Sequence, residues 1–176
     1  MGTRTLDFYE KFFGIKYPLP KMDMIALANM GGAMENWGLV TYRDNALLCD
    51  PTKASLRQRM TILTIVTHEL GHQWFGNLVT MEWWKELWLN EGFASWVETH
   101  AADVLYPEYR AWDDFCRVTL SGGLELDSLL SSHPIEVEVF KSRDVDEIFD
   151  SISYNKGAGV IRMLASYIGI EAFAKG

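Results

Sequence analysis

The run His68-Glu69-Leu70-Gly71-His72 limits what this chain can fold into more than any other segment. Residues four apart face the same way on an α-helix, so the two imidazoles can converge on one point only if this run is helical. Eighteen residues, 73 through 90, separate it from Glu91. That is enough chain to turn back and pack a second helix against the first, bringing the carboxylate to the imidazoles. Two histidines and a carboxylate are the donor set of a catalytic zinc ion, bound at about 2.0–2.1 Å and left with one open position for water. A structural zinc would be closed by four protein groups. Glu69, beside the first ligand but not itself a ligand, is placed to take a proton from a water polarised by the metal. The competing reading makes His68 and His72 part of a solvated helix face. It leaves unexplained why a charged triplet interrupts an apolar helix. Taken alone, Glu91 could also be an acid favoured at a helix start, and Glu98, seven residues on, is either a partner to a ligand histidine or a solvated charge.

Around this motif the period of the apolar residues changes along the chain. Thr5 to Phe13 puts Leu6, Tyr9, Phe12 and Phe13 on one helical face, with Gly14 in the C-terminal cap position. Tyr17-Pro18-Leu19-Pro20 must be extended. Met22 to Ala28 reads as a buried strand, Asn29 to Gly32 as a break, Gly38 to Tyr42 as a second strand and Ala46 to Cys49 as a third. Ser55 with Gln58 forms a capping-box signature that opens a helix running to about Trp74, with Gly76 as its stop. Further helices are expected over Asn90 to Tyr106 and over Pro107 to about Leu120, where Trp112, Phe115 and Cys116 point inward and Gly122-Gly123 ends the helix. A short helix near Val145 to Phe149 and a last one over Gly159 to Ile168 complete the pattern. The seven tryptophans read as core and cleft wall. The order is strands first and helices after, an α+β chain.

Charge and composition remove several classes of function. Sixteen Lys and Arg against 24 Asp and Glu give a net charge of −8, which argues against a nucleic-acid or anionic-membrane surface and suits a cationic ligand. With 48% hydrophobic residues in 176, there is material for one domain core. No apolar run approaches the roughly 20 residues of a membrane span. Cys49 and Cys116 have no metal-type spacing and read as buried, reduced thiols, which points to a cytoplasmic setting. The first and last residues both read as interior to a longer sequence, so a piece of a larger protein is expected.

Three motifs together resemble the zinc aminopeptidases of the gluzincin type: Gly32-Ala33-Met34-Glu35-Asn36, the helix carrying His68 and His72, and Trp88-Leu89-Asn90-Glu91-Gly92-Phe93-Ala94. The run from Gln73 to Trp84, Ser132-His133-Pro134-Ile135 and Ser153-Tyr154-Asn155-Lys156-Gly157-Ala158 match as well, so nearly the whole chain is covered. The resemblance implies a thermolysin-like catalytic domain over residues 1–176, a short mixed sheet followed by helices and truncated at both ends. The family's β-rich N-terminal domain and helical C-terminal domain would be missing. It implies that one Zn²⁺ is held by His68, His72 and Glu91 with Glu69 as general base. Glu35 would anchor the free α-amino group of a peptide, while Gly32, Ala33, Met34 and Asn36 line its main chain along the sheet edge. Tyr154 would donate to the tetrahedral oxyanion.

From the residues alone, Glu35 could be a turn acid and Tyr154 a half-buried tyrosine beside Ile152. His100 and His133 read as structural. The implied activity is removal of N-terminal residues from peptides with a free N-terminus. A relative on the same scaffold that hydrolyses epoxides is the nearest enzymatic alternative. A rival of another class is a catalytically incompetent fragment that binds zinc or the missing domains of a longer protein. Exposed apolar surface is expected where those domains would sit.

Overall fold

Tyr9 ties the first helix to the two that carry the histidines and Glu91. It lies on α1 (Gly2–Phe13), is fully buried, and its hydroxyl donates to Thr67 O at 2.8 Å. Its ring packs against Trp74 at 5.8 Å between centroids, and Trp74 donates from Nε1 to Ile15 O at 2.9 Å. A buried tyrosine or tryptophan needs a partner for its polar tip, and here each partner lies on a different segment. The helix ends as expected at Gly14, whose φ of 66° is the left-handed cap conformation. The computed structural model describes residues 1–176.

The sheet has three strands in the order β1-β3-β2. Strands β1 (Asp23–Leu27) and β3 (Leu39–Arg43) run parallel, with Ile25 opposite Thr41. Strand β2 (Ala33–Met34) runs antiparallel to β3 and leaves its other edge open. The alternation in β3, where Val40 and Tyr42 are fully buried, is that of a strand with one face on the core. Two expectations fail here. The first strand is an edge strand, with Ile25 and Leu27 about two-fifths exposed instead of buried. The stretch expected as a third strand lies instead in and after a single helical turn, α2 (Asp44–Leu47). The third strand is the dipeptide at residues 33 and 34, too short to leave a periodic signal.

Two long antiparallel helices follow. Helix α3 (Leu56–Gly71) starts where the capping signature places it, with the Ser55 side chain accepting from Gln58 N at 3.1 Å. Helix α4 (Leu87–Leu105) begins three residues earlier than expected, so Glu91 stands in its second turn and not at its N-terminal charge-favouring end. After a turn at Pro107–Tyr109, α5 (Ala111–Asp114) continues through a wide π-type segment, Phe115–Leu120, into α6 (Ser121–Asp127).

The expected break at Gly122-Gly123 does not occur. A side chain at Gly123 would come 2.9 Å from Lys156 N, so this position allows a close approach of two helical segments. Cys116 faces outward, and Cys49 is exposed too; both thiols are free, so the expectation of buried cysteines is wrong. Among the tryptophans, Trp74 and Trp96 are core, whereas Trp37 and Trp83 are 40% and 52% exposed. The short α7 (Ser142–Val145) precedes a second π-type segment, Ile152–Lys156, which runs into α8 (Gly157–Ile168) and α9 (Ile170–Phe173). On α8, Met163 and Tyr167 are highly exposed. No helix is long and apolar enough to cross a membrane.

Helices α4 and α8 touch backbone to backbone. A Cβ at Gly92 would lie 2.9 Å from the Gly157 carbonyl carbon and from Ser153 O. Gly92→Ala is therefore expected to lower the unfolding free energy by about 1–3 kcal/mol in urea denaturation. Gly31→Ala, where nothing lies within 4 Å of the new atom, should leave it nearly unchanged. Equal stability of the two variants would contradict the packing described.

Candidate metal centre

Helices α3 and α4 pack face to face, and their contact brings three potential donor atoms together. Nε2 of His68 and Nε2 of His72 are 3.0 Å apart, and Glu91 Oε2 is 3.2 Å from each. Donors at 2.0–2.1 Å from a tetrahedral ion are separated by roughly 3.3 Å, so this triangle has the size of one face of such a site. The three residues form the group able to hold a metal ion, and His72 and Glu91 are almost wholly buried.

The outer nitrogen of each ring sets its tautomer. His72 Nδ1 lies 2.9 Å from Phe75 O. A carbonyl only accepts, so Nδ1 carries a proton and Nε2 is the ring nitrogen left to face Glu91, free to ligate when it carries no proton. His68 Nδ1 lies 2.6 Å from Glu98 Oε2, which orients that ring in the same way. Of the two readings open for Glu98, the one that pairs it with a histidine describes its position. Phe75 O had no signal in the sequence, because it depends on how the chain leaves α3. It does so through Gly76, whose φ of 125° suits glycine and whose added Cβ would fall 2.9 Å from His72 Nδ1.

The electrostatics favour a cation. Burial acts to lower both imidazole pKa values. Hydrogen bonding to Glu91 and the surrounding carboxylates, Glu98 above all for His68, more than reverse this and raise them. Burial would raise Glu91 too, but hydrogen bonds from both histidines hold its carboxyl well below the usual range. Glu69 lies on α3 between the two histidines in sequence, is 6% exposed, and has one carboxylate oxygen without any hydrogen-bond partner. Burial raises its pKa to about 7 against the opposing pull of His68 and His72. A buried carboxylate oxygen with no donor is costly unless a cation or water meets it. Together with the donor triangle, it makes the residues present a fitting cradle for a divalent ion.

The other predicted residues gather around this point. Glu35 follows β2 directly, and its charge is felt at Glu69, His72 and Tyr154. Of Gly32 to Asn36, Ala33 and Met34 form β2 at the edge of the sheet, and the Glu35 carbonyl that follows accepts from Gln73 and Asn77 just beyond the end of α3. Tyr154 stands on the π-type segment, its ring stacked on His68 at 6.1 Å between centroids. Burial and the Glu91 carboxylate raise its pKa well above the ordinary tyrosine value, so the phenol keeps its proton and remains a donor. His100 packs among Phe8, Phe12 and Trp96, and burial lowers its pKa, in line with a structural role. His133 pairs with Asp150 at 2.7 Å, and Asp150 accepts from Ile152 N and Ser153 N at the start of the Tyr154 segment. Two amides that the sequence reading left without a role, Gln73 and Asn77, both reach Glu35 O. Gln73 lies between His72 and the apolar Trp74-Phe75. A buried amide there needs partners, and that was the available signal.

The profile of the Peptidase family M1 domain matches residues 1–176. The chain is 57% identical to Aminopeptidase M1 of Arabidopsis thaliana over 99% of its own length and 20% of that protein. It is 53% identical to Aminopeptidase 2, mitochondrial, of Saccharomyces cerevisiae, with 100% and 19% covered. With the Puromycin-sensitive aminopeptidase of Caenorhabditis elegans the identity is 50%, again with 100% and 19% covered. The chain thus spans about one fifth of the length of these relatives.

Gly76→Ala tests the orientation of His72. The substitution should destabilise the chain by about 1–3 kcal/mol in thermal unfolding and shift the His72 ring resonances in NMR spectra. Unmoved His72 resonances would mean that the turn at Gly76 does not orient the ring.

Proposed function

The chain belongs to peptidase family M1, and from that membership we propose that residues 1–176 form a catalytic domain that removes N-terminal residues from peptides with zinc at His68, His72 and Glu91. One observation carries this reading: the 3.0–3.2 Å donor triangle with the unpartnered Glu69 carboxylate beside it. The family is zinc-dependent in general. When bound, the ion supplies Lewis acidity, which polarises the scissile carbonyl and makes water a stronger acid.

The remaining chemistry belongs to the chain. Glu69 accepts a proton from the attacking water as its oxygen bonds to the first carbonyl carbon. It returns that proton to the departing amine as the C–N bond breaks, so one carboxyl serves as base and then as acid. A carboxyl whose pKa burial raises to about 7 is matched to both roles near neutral pH. Tyr154, a protonated phenol above His68, donates to the oxyanion as charge grows there. Glu35 pairs with the substrate ammonium. Gly32 through Asn36 hold the peptide main chain along the open edge of β2, and Glu35 at the end of that strand stops the peptide at its first residue. The ammonium suits the strongly acidic surroundings, and the −8 net charge keeps nucleic acid an unsuitable partner. The two exposed free thiols suit a reducing compartment such as the cytoplasm.

Release of a fluorophore from an aminoacyl substrate, measured with zinc content, tests the proposal. Glu69→Gln should retain zinc and lose hydrolysis by about 10²–10⁴-fold. Loss of zinc in that variant would make Glu69 a ligand. Stoichiometric zinc in the unaltered chain without turnover at any protein concentration would favour the zinc-binding module instead.

A further inference from the structure

The amine anchor is attached to the metal helix by two side chains, and the attachment is made through its backbone. Gln73 is fully buried one residue after His72. Its Nε2 donates to Glu35 O at 3.1 Å and to Glu69 O at 3.2 Å. Asn77 donates from Nδ2 to the same Glu35 O at 2.8 Å, and its own backbone N–H donates to His72 O at 3.0 Å. The Glu35 carbonyl therefore receives two donors that both come from the segment just beyond the C-terminal end of α3. One of them is shared with the carbonyl of Glu69. Strand β2 is only two residues long, so the sheet itself holds residue 35 weakly.

We propose that Gln73 and Asn77 are positioning residues that set the distance between the amine anchor at Glu35 and the reacting centre, and so set the preference for substrates with a free N-terminus. The proposal rests on the reading of Glu35 as that anchor. A carboxylate discriminates between a free amine and a blocked one only if it is held one residue's span from the scissile carbonyl. Displacement by about 1 Å can cost a large factor in rate. Gln73 is fully buried, and both amides donate to main-chain carbonyls. Each acts by fixing where the Glu35 main chain lies, whereas the hydrogen bonds of His68 and His72 to Glu98 and Phe75 leave the donor triangle independent of them. Removing the amides should therefore alter selection of the substrate terminus while leaving metal binding intact.

The test uses Gln73→Met and Asn77→Leu, near-isosteres that cannot donate, together with Glu35→Gln. Zinc content and thermal stability are measured for each. Affinity for phenylalaninamide and for N-acetylphenylalaninamide is then measured by calorimetry, and KM and kcat on an aminoacyl-fluorophore substrate are compared. The unaltered chain should prefer the free amine, and Glu35→Gln should abolish the preference. Each amide variant should reduce it about 3–10-fold, as expected for loss of a hydrogen bond, through a higher KM and with zinc retained. Asn77 is partly exposed, so Asn77→Leu decides the matter if Gln73→Met fails to fold. The proposal is overturned if the amide variants discriminate as well as the parent, or lose both ligands equally. If Glu35→Gln itself keeps the preference, the anchor assignment fails, and that outcome is separate from failure of the amide variants alone.

Discussion

Three carboxylates and two imidazoles are crowded into the interface between α3 and α4, and this arrangement needs a positive charge to hold it. Glu69, Glu91 and Glu98 are all buried or nearly so, and the two imidazole nitrogens stand 3.0 Å apart. Burying several charges in one place costs several kcal/mol per ion even where they pair, and a cation at the donor triangle would offset it. The carboxylates raise the pKa of both imidazoles against the effect of burial, so the pocket favours positive charge. The backbone contact of Gly92 with Gly157 and the Tyr9 hydroxyl on Thr67 O keep the helices close enough for the triangle to form.

The parts that would act on substrate hang from this helix pair by separate attachments. Tyr154 rides on a π-type segment whose first turn is capped by Asp150, itself paired with His133. Glu35 follows a two-residue strand at the open edge of the sheet and is pinned to the segment leaving α3 by Gln73 and Asn77. A wide helical turn and a minimal strand are weak elements in themselves. Each is used here where a side chain must be aimed at a fixed point, and side-chain hydrogen bonds supply the definition that the local backbone lacks.

Local features of the fold were legible in the sequence. The His68–His72 spacing requires a helix, Ser55 and Gln58 mark its start, and Gly14 marks the end of α1. Glu91 was legible because the intervening length permits a turn-back, and Glu98 because seven residues return to the same helical face. The failures share one cause. Gly122-Gly123 reads as a breaker but is a contact point, since what matters is Lys156 across the interface. Ile25 and Leu27 read as buried but lie on an edge strand, and Cys116 reads as inward but faces out. The anchoring by Gln73 and Asn77 joins residues 38 and 42 positions apart, which no local pattern encodes.

Calorimetric titration of the metal-stripped chain with zinc tests the central claim most directly. One ion per chain should bind tightly in the unaltered protein, and replacing Glu91 with alanine should abolish that tight site, because one corner of the triangle is gone. Absence of saturable binding, or tight binding that survives the loss of Glu91, would show that the interface between α3 and α4 is not a metal centre.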